Sequence, residues 1–466
     1  MKKKIDLTTG SIVKKLLIVA IPTLFTSIIQ MAYNLTDMFW VGKVGSMGLN
    51  PDEAIAAVGT AGYYMWFGFG LILLAKIGTS VMISQSAGKN DMNLVTKYGN
   101  SGFVLMLLFA IVYSLLGYLG SDLYMDLFNL DSANVLEYST SYLKVVSMFV
   151  ISMFMVNFFN GVNDGLGKTI NTLLITSSGL FLNIVLDPFF ILEKVNVFGS
   201  VLPGLGMGVK GAAIATVIAQ TFILCIYVVF YFSKHRPFTI NPKKYFEFKY
   251  FKQILKIGLP IGIQSMLFTS ISIVLGIMIV SYGASVMAIQ RVGSQIEALA
   301  WMIASGFQVA LASFVGQNFG ALKHDRIRKG YFTALKLLVP YGIVVNIVLF
   351  VFAEQLFSIF FHTESTLAIG KTYLEILSFS QLFMIVELTT AGAFNGLGKT
   401  KIPSSVGIIG NGLRIPFAML FSVSLGFAGI WWVVSISSIA KGVILTAWFI
   451  FYLRRVKKMK SVLSWK

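Results

Sequence analysis

The sequence predicts an all-α integral membrane protein in which twelve transmembrane helices form two six-helix lobes. Composition gives the first reason, because 56% of the 466 residues are hydrophobic, only 12% are charged and the mean hydropathy is +0.80. A soluble protein of this length needs a larger share of polar residues to cover its surface. The spacing of the apolar segments and an internal repeat give the other two reasons.

Segments long enough to cross a bilayer recur from one end of the chain to the other. A helix needs about 20 apolar residues to cross a hydrocarbon layer of about 30 Å, and it pairs its own backbone polar groups. The predicted spans are residues 12–40, 54–86, 94–119, 138–160, 170–192, 209–232, 252–280, 284–315, 331–353, 372–395, 402–423 and 427–452. The first is predicted to be a span rather than a signal peptide, because it is too long and no small-residue cleavage site follows it.

Short motifs recur between the two halves of the chain. The GLGKT sequence at residues 165–169 returns at residues 396–400, and Tyr142 followed by leucine is matched by Tyr373 followed by leucine. A repeat of six spans preserves the orientation, so the halves are predicted to be related by a pseudo-two-fold axis along the membrane normal. The predicted domains are an N-terminal lobe at 1–235, a cytoplasmic linker at 236–256 and a C-terminal lobe at 257–466.

The basic residues are distributed unevenly along the chain. The net charge is +18, and most Lys and Arg residues fall in the N-terminus, the even-numbered connections between spans and the C-terminal tail. By the positive-inside rule these segments face the cytoplasm, so we expect a multi-pass protein of the cell membrane with both termini inside. The excess charge then reflects topology and contact with anionic lipids rather than nucleic-acid binding.

Several classes of chemistry find no support in the sequence. The single cysteine, Cys225, excludes an intrachain disulfide, and His235, His324 and His362 fall in predicted loops far apart, which argues against a metal site. The two GKT triplets lack the upstream glycine of a P-loop, and no GxSxG or HExxH string occurs. We therefore expect no enzyme activity and no cofactor, and energy would have to come from an ion gradient.

Polar residues form stripes on several predicted spans of the first half. Gln30, Tyr33, Asn34 and Asp37 follow helical spacing on the first span, and Asn183 and Asp187 lie one turn apart on the fifth. An Asp at the centre of a span costs roughly 2.5–3.5 kcal/mol on insertion scales, so such residues indicate function. We predict that Asp37 and Asp187 share a polar pocket that carries protons or cations. The alternative is a structural role beside a buried cation such as Lys76.

The second half carries a mixed set of charges. Glu297 lies on the eighth predicted span and Glu387 on the tenth, while the basic residues are Arg291, Arg414 and Lys441. Mutual neutralisation and a functional role are equally compatible with this mixture. A substrate cavity for flat hydrophobic cations is predicted from polar, aromatic and methionine side chains, namely Gln30, Asn34, Phe154, Phe158, Met287, Glu297 and Trp301.

Four sequence motifs together resemble those of the multidrug and toxic compound extrusion (MATE) transporters. They are DMFWVG at residues 37–42, NIVLDP at 183–188, GAAIAT at 211–216 and GQNFGA at 316–321. The resemblance extends over nearly the whole chain. It implies two six-helix lobes, a cavity open alternately to either side of the membrane, and export of cationic amphiphilic compounds against inward H⁺ or Na⁺.

Within that family the acid pair resembles the DNA-damage-inducible branch and its bacterial multidrug relatives. That resemblance implies an ion site in the N-terminal lobe, carried onto Tyr33, Asp37, Asn157, Asn183, Asp187 and Thr216. It also implies a hinge in the first span at Pro22. Another branch has an acid in the middle of the seventh span, but here residues 265–270 read SMLFTS, so that second site is not carried over.

Two functions remain from this reasoning. The first is a proton- or sodium-coupled multidrug antiporter that works as a monomer by alternating access. The alternative is a lipid-linked oligosaccharide flippase of the same architecture, which a strongly cationic cavity would favour. The acid pair favours the antiporter.

Overall fold

A computed structural model describes residues 6–47, 50–128, 132–197, 200–233 and 236–463. Over these residues the chain is almost entirely helical, with one short β-hairpin and a 3₁₀ turn at Val44–Met47. The helices are α1 (Ile12–Val41), α2 (Pro51–Gly88), α3 (Met92–Leu119), α4 (Ser121–Asp126), α5 (Ala133–Gly165), α6 (Thr169–Ile191), α7 (Gly208–Phe232), α8 (Pro242–Tyr245), α9 (Phe248–Val280), α10 (Ala284–Gly320), α11 (His324–Val351), α12 (Ala353–Ser358), α13 (Glu364–Gly396), α14 (Lys401–Gly412), α15 (Arg414–Leu425) and α16 (Phe427–Leu463).

The prediction of an all-α membrane protein with twelve spans is confirmed. In the described residues, twelve helical segments are long and apolar enough to cross a bilayer. The eleventh predicted span differs in detail, because it consists of two helices, α14 and α15, that meet at Leu413. A hydropathy pattern reports the apolar length of a span and is insensitive to such an internal break.

Several short elements outside the spans were not predicted. Strands β1 (Lys194–Val197) and β2 (Ser200–Pro203) pair antiparallel between α6 and α7.

His324 was predicted to lie in a loop, and that prediction is wrong, because it is the first residue of α11. The polar first turn of this helix precedes its apolar stretch, so hydropathy places the start too late. His362 does lie in a loop, and His235 lies outside the described residues.

Contacts divide the described chain into two compact units. Unit 1 contains Phe25–Ile83 and Asp91–Gly258, and unit 2 contains Asp6–Leu24, Ser84–Asn90 and the chain from Leu259 onward. Each unit therefore takes its helices from more than one part of the sequence. The domain boundaries predicted at residues 235 and 256 stay a prediction.

The core of unit 1 is built largely from aromatic rings on α2, α3, α5 and α7. Tyr64 and Tyr113 stack at 4.3 Å between ring centroids, and Phe159 stacks on Tyr227 at 5.1 Å. Small residues allow the helices to approach closely, since a Cβ added at Gly258 of α9 would lie 1.9 Å from the Leu74 carbonyl oxygen of α2. Close backbone packing of this kind is how helices associate where lipid supplies no hydrophobic drive.

The core of unit 2 lies between α10, α13 and α16. Trp431 of α16 is almost fully buried and meets the Tyr373 ring edge-on at 4.9 Å. Towards the other end of the same helix, Phe449 is fully buried against Phe394 and Tyr331. These large rings pack α16 against α13 and, through Tyr331, against α11.

The repeated GLGKT motif forms the same turn in both units. Gly167 and Gly398 have φ values of +71° and +72°, which the left-handed region allows readily only for glycine. The next residue donates its amide back to a helix carbonyl in each case, Lys168 to Asn163 at 2.8 Å and Lys399 to Phe394 at 3.0 Å. The motif is thus a helix C-terminal cap between two spans.

Candidate ion-coupling site

The six residues predicted for ion coupling belong to unit 1 and lie on four helices. Tyr33 and Asp37 lie on α1, Asn157 on α5, Asn183 and Asp187 on α6, and Thr216 on α7. Residues four positions apart share one face of an α-helix, so each of α1 and α6 presents its pair together. Helix α7 packs against both α6 and α5.

Asp37 and Asp187 are both buried and lie close enough to interact electrostatically. Asp37 is 8% exposed and Asp187 is fully buried. The Asn183 side-chain amide donates a hydrogen bond to Asp187 Oδ1. Asp37 Oδ1 and Asp187 Oδ2 have no hydrogen-bond partner among the described residues. Two acceptor atoms in one buried site are therefore available for a proton or a cation.

Two hydroxyl groups extend this site. The Tyr33 hydroxyl lies 3.2 Å from Thr216 Oγ1, within hydrogen-bond distance, and Tyr33 interacts electrostatically with both carboxylates. This arrangement connects α1 to α7 through side chains. The prediction that Tyr33, Asp37, Asn183, Asp187 and Thr216 come together agrees with this geometry, although their role in coupling stays a prediction.

Tyr142 of α5 also belongs to the site, and sequence reasoning missed it. Its side chain is 8% exposed and interacts electrostatically with Asp37, Asp187 and Tyr33. The repeat had matched Tyr142 with Tyr373, but a tyrosine without polar neighbours in sequence gives no sign of contact with distant carboxylates. The repeat was therefore the one signal in the sequence that pointed to it.

Asn157 has a different environment. Its side-chain amide donates to the Met153 carbonyl of its own helix at 3.0 Å, and no hydrogen bond in the described part of the chain joins it to the carboxylates. Farther along α5, Asn160 accepts a hydrogen bond from Tyr227 at 2.5 Å. The polar stripe of α5 is thus divided between two networks.

The cation suggested as a structural partner for the acids lies elsewhere. Lys76 Nζ is 3.7 Å from an Asp164 carboxylate oxygen. Among the described residues no ion pair reaches Asp37 or Asp187. The alternative in which Lys76 neutralises the predicted ion site is therefore not what the structure shows.

The predicted cavity residues of the first half lie in contrasting places. Gln30 and Asn34 are exposed on α1. Phe154 and Phe158 are fully buried and pack against other rings, Phe154 on Tyr113 and Phe158 on Phe103. In this conformation the two phenylalanines belong to the aromatic packing of unit 1, and their predicted role in binding substrate stays a prediction.

A second buried carboxylate, Glu297, lies in unit 2 and has a full set of donors. Tyr373 donates to Oε1 at 2.6 Å and Gln381 donates to Oε2 at 2.7 Å. Trp301 in turn donates to the Gln381 side-chain oxygen at 3.0 Å and so fixes the orientation of that amide. Met287 of the same helix packs at the edge of the apolar core.

The remaining charges of unit 2 form a mixed network. Lys441 and Glu387 make a buried ion pair at 3.2 Å. Arg414 is 7% exposed, donates to Ser437 at 3.0 Å and to Ser438 at 2.9 Å, and interacts electrostatically with both glutamates. Arg291 is exposed and contributes nothing to this network. Neutralisation is thus the state observed for Lys441 and Glu387.

No metal-binding cluster is evident in the part of the chain described here, where no three His, Cys, Asp or Glu side chains come together. The polar atoms around Asp37 and Asp187 come from carboxylate, amide and hydroxyl groups. Carboxylate and hydroxyl oxygens are the donors that hard cations prefer, and the same carboxylates accept protons.

Comparison with known proteins agrees with the motifs. The MatE family model matches residues 22–189 and 260–420. The probable multidrug resistance protein NorM of Thermotoga maritima is 27% identical over 432 residues, which cover 90% of this chain and 88% of the relative. The probable multidrug resistance protein YpnP of Bacillus subtilis is 28% identical over 435 residues, which cover 92% of each chain.

The fold has a counterpart among solved structures. A protein described as a multidrug resistance MATE family transporter of the MOP superfamily, in an outward-facing conformation, superposes with a TM-score of 0.88. The two chains are 22% identical, and the match covers 98% of this chain and 99% of the other. The family model matches well over half of the sequence and both of its halves. The chain therefore belongs to the MATE family of multi-pass membrane transporters.

Proposed function

We propose that this chain is a secondary active multidrug exporter that exchanges cationic amphiphilic compounds for H⁺ or Na⁺ by alternating access. The observation that carries the proposal is the pair of buried carboxylates in unit 1, Asp37 and Asp187, each with one oxygen that lacks a hydrogen-bond partner among the described residues. The relatives named as probable multidrug resistance proteins support the choice of substrate class.

The carboxylate pair supplies a physical reason for coupling. Two buried carboxylates close together are costly when both are ionised, so this site favours uptake of a proton or a cation. Asn183 holds one carboxylate in place, and Tyr33 carries a hydroxyl near both. In the proposed cycle, occupation of this site by the coupling ion and binding of the drug exclude each other.

Energy for export comes from the ion gradient in this proposal. One charge that moves through 100 mV of membrane potential releases about 2.3 kcal/mol. A monovalent cationic drug leaves the cell against the same potential, so a one-for-one exchange is electrically neutral and is driven by the concentration gradient of the ion. A tenfold ion gradient then supports a tenfold drug gradient, each worth about 1.4 kcal/mol.

We place the protein in the cell membrane with both termini in the cytoplasm, as a monomer. The support for this orientation is the concentration of Lys and Arg in the N-terminus, the even-numbered connections and the tail. Partners in this proposal are the substrates and the lipid bilayer, and neither nucleic acid nor a cofactor has a role.

A flippase for lipid-linked oligosaccharides is the less favoured alternative. Such a function would suit a cavity lined by unpaired cations. In unit 2, however, Lys441 is paired with Glu387, and Arg414 interacts with two glutamates. The buried charges there are balanced, whereas the buried charges around Asp37 and Asp187 in unit 1 are acidic.

The test is transport of a fluorescent cationic dye into inside-out proteoliposomes. A pH gradient and a Na⁺ gradient are imposed separately on wild type, Asp187→Asn and Asp37→Asn. We expect one gradient to drive dye movement in wild type and neither to drive it in the two variants. The exposed Asp122→Asn serves as the matched control and should transport as wild type does.

Two results would count against the proposal. If neither gradient moves the dye in folded wild-type protein, the antiporter is wrong and lipid-linked substrates become the next test. If Asp187→Asn and Asp37→Asn both transport normally, the coupling site lies elsewhere in the chain.

A further inference from the structure

Helix α1 belongs to both compact units. Its part up to Leu24 groups with unit 2, and its part from Phe25 onward groups with unit 1. Pro22 lies just before this division and has no backbone N–H to donate to the preceding turn. Tyr33 and Asp37 of the predicted ion site lie on the part that groups with unit 1. The first part of α1 therefore belongs to unit 2, whereas Asp37 lies on the part that belongs to unit 1.

The segment before α1, residues 6–11, is held by hydrogen bonds to both backbone polar groups of Leu7, its amide and its carbonyl. The Leu7 amide donates to Gln317 Oε1 at 3.1 Å, and Asn318 donates its side-chain amide to the Leu7 carbonyl at 3.2 Å. The Leu7 side chain is fully buried. Gln317 and Asn318 belong to the GQNFGA motif near the end of α10, so this motif holds the N-terminal segment in place. We call residues 6–11 the anchor segment.

Two basic residues at the start of α11 hold the next carbonyls of the anchor segment. Lys323 Nζ donates to the Thr8 carbonyl at 2.9 Å and lies 3.2 Å from the Thr8 hydroxyl. Arg326 donates to the Thr9 carbonyl at 3.0 Å. Hydrogen bonds from charged donors are stronger than those between neutral groups, roughly twofold. These contacts hold three successive residues to the ends of α10 and α11.

Asp6 gives the anchor segment its own internal order. Its carboxylate accepts hydrogen bonds from the Thr8 amide at 2.8 Å, the Thr8 hydroxyl at 2.7 Å and the Thr9 hydroxyl at 2.8 Å. Partial burial opposes ionisation, but these hydrogen bonds and the nearby Lys15 charge lower the pKa of Asp6 to about 2. The Asp6 carboxyl is therefore ionised at any physiological pH, and the turn is formed.

The first part of α1 continues this attachment along α10. A Cβ added at Gly306 of α10 would lie 2.9 Å from the Ala20 carbonyl oxygen of α1. Backbone contact this close leaves no room for the two helices to slide without separating. From Leu7 to Ala20 the N-terminal part of the chain is thus attached to unit 2.

We propose that the anchor segment is a positioning element for transport, which keeps the start of α1 attached to α10 and α11 throughout the cycle. Because the rest of α1 carries Asp37, a change of position of unit 2 is transmitted along α1 to the ion site through the proline-containing turn. Leu7, Gln317, Asn318 and Arg326 are the positioning residues. This inference rests on the proposed antiport function and adds to it the element that links the ion site to unit 2.

The first experiment separates coupling from binding. Arg326→Ala is compared with Lys329→Ala, an exposed basic residue on the same helix that makes no hydrogen bond to the anchor segment. Couplings between sites in proteins are typically about 5- to 150-fold, so we expect Arg326→Ala to lower the maximal rate of ion-driven dye transport by roughly tenfold. Dye affinity should stay unchanged, and Arg326→Lys should restore most of the rate.

The second experiment asks whether the anchor segment stays attached. Thr8→Cys and Lys323→Cys are introduced into Cys225→Ala and bridged by a short bifunctional thiol reagent. We expect the bridged protein to transport as fast as the same protein before bridging. If bridging stops transport, the segment has to detach during the cycle and the proposal is wrong.

Failure of the anchor and failure of the proposed function give different results. If wild type moves no dye under either gradient, the antiport function is wrong, and the proposed role of the anchor segment in antiport is wrong as well. Wild type that transports normally, with Arg326→Ala as fast as Lys329→Ala, overturns the anchor alone. A loss of dye affinity in Arg326→Ala equal to the loss of rate would also overturn it, because the residue would then act on the binding site and not on coupling.

Discussion

The Tyr373 hydroxyl donates a hydrogen bond to the Glu297 carboxylate at 2.6 Å in the interior of unit 2. The position that the sequence repeat matches to Tyr373 is Tyr142, which interacts electrostatically with Asp37 and Asp187 in unit 1. In each unit the repeated tyrosine therefore faces the buried acid. The acids themselves lie on different helices in the two units, so the repeat preserved the tyrosine and not the carboxylate.

Removal of Glu297 should destabilise the protein more than removal of Tyr373. Glu297→Ala leaves the Tyr373 hydroxyl without its acceptor and leaves the Gln381 amide with only the Leu377 carbonyl at 3.3 Å. An unsatisfied buried group costs about 1–3 kcal/mol. Tyr373→Phe removes one donor and leaves the Gln381 hydrogen bond in place. Thermal unfolding in detergent should therefore rank wild type above Tyr373→Phe and Tyr373→Phe above Glu297→Ala. Equal melting temperatures for the two variants would contradict this ranking.

Tyr142→Phe should slow ion-driven transport while leaving the fold intact. The substitution removes a hydroxyl that interacts with both carboxylates of the predicted site, but it keeps the ring that packs in α5. We expect a loss of several-fold in rate, which corresponds to about 1 kcal/mol, because each 1.36 kcal/mol of barrier changes a rate about tenfold. Tyr118→Phe, at an exposed position of α3, is the control, and rates that fall equally in both variants would refute a specific role.

Lys441 and Glu387 provide a test of neutralisation against function. Removal of one member of a buried ion pair typically costs about 3–5 kcal/mol, because the other charge is left unpaired. We expect Lys441→Met to be strongly destabilised and the double variant Lys441→Met/Glu387→Met to recover most of the loss. If the double variant is stable but inactive in dye transport, the pair has a role in transport beyond neutralisation.

The anchor segment should lose its order only at strongly acidic pH. The pKa of Asp6 in the folded protein is lowered to about 2, so its stabilising effect is present above the ordinary carboxyl range and is lost as the pH falls through about 2. Asp6→Asn should remove this effect at every pH. The measurement is hydrogen exchange of the backbone amides of residues 6–11, corrected for the change of the intrinsic exchange rate with pH. Protection that is identical in wild type and Asp6→Asn at pH 7 would show that Asp6 does not stabilise the turn.

The two capping glycines should respond alike to substitution. Gly167 and Gly398 have positive φ, so Gly167→Ala and Gly398→Ala should each lower the stability by roughly 1 kcal/mol. Gly59→Ala is the matched control, since an added Cβ there meets nothing within 4 Å and the helix gains from the substitution. Thermal unfolding of the three variants checks the sign of each effect, and a loss at Gly59 as large as at Gly167 would refute the explanation from φ.

The spans were predictable because the hydropathy of a segment depends only on the residues of that segment. Every helix that crosses a bilayer needs a continuous apolar stretch, so α1 or α3 is evident from its own residues. The start of α11 at His324 and the break between α14 and α15 at Leu413 were not predictable in the same way. Polar first turns and internal breaks leave the average hydropathy of a segment almost unchanged.

The candidate site was predictable in part for a similar reason. Asn183 and Asp187 lie one helical turn apart, and spacing alone places them on one face of a helix. The electrostatic interaction of Tyr142 with Asp37 joins residues on α5 and α1, and the pairing of Lys76 with Asp164 joins α2 and α5. Neither is encoded by spacing, because both depend on how separate helices pack.

The sequence by itself determined the membrane class, the twelve spans, the repeat and the acid pair, since these follow from composition and from periodicity within single helices. The tertiary structure decided which charges meet. It paired Lys441 with Glu387, left Arg291 exposed and attached Leu7 to the end of α10. The physical reason is that the free energy of a buried charge depends on its partners within a few ångströms, and those partners come from distant parts of the chain.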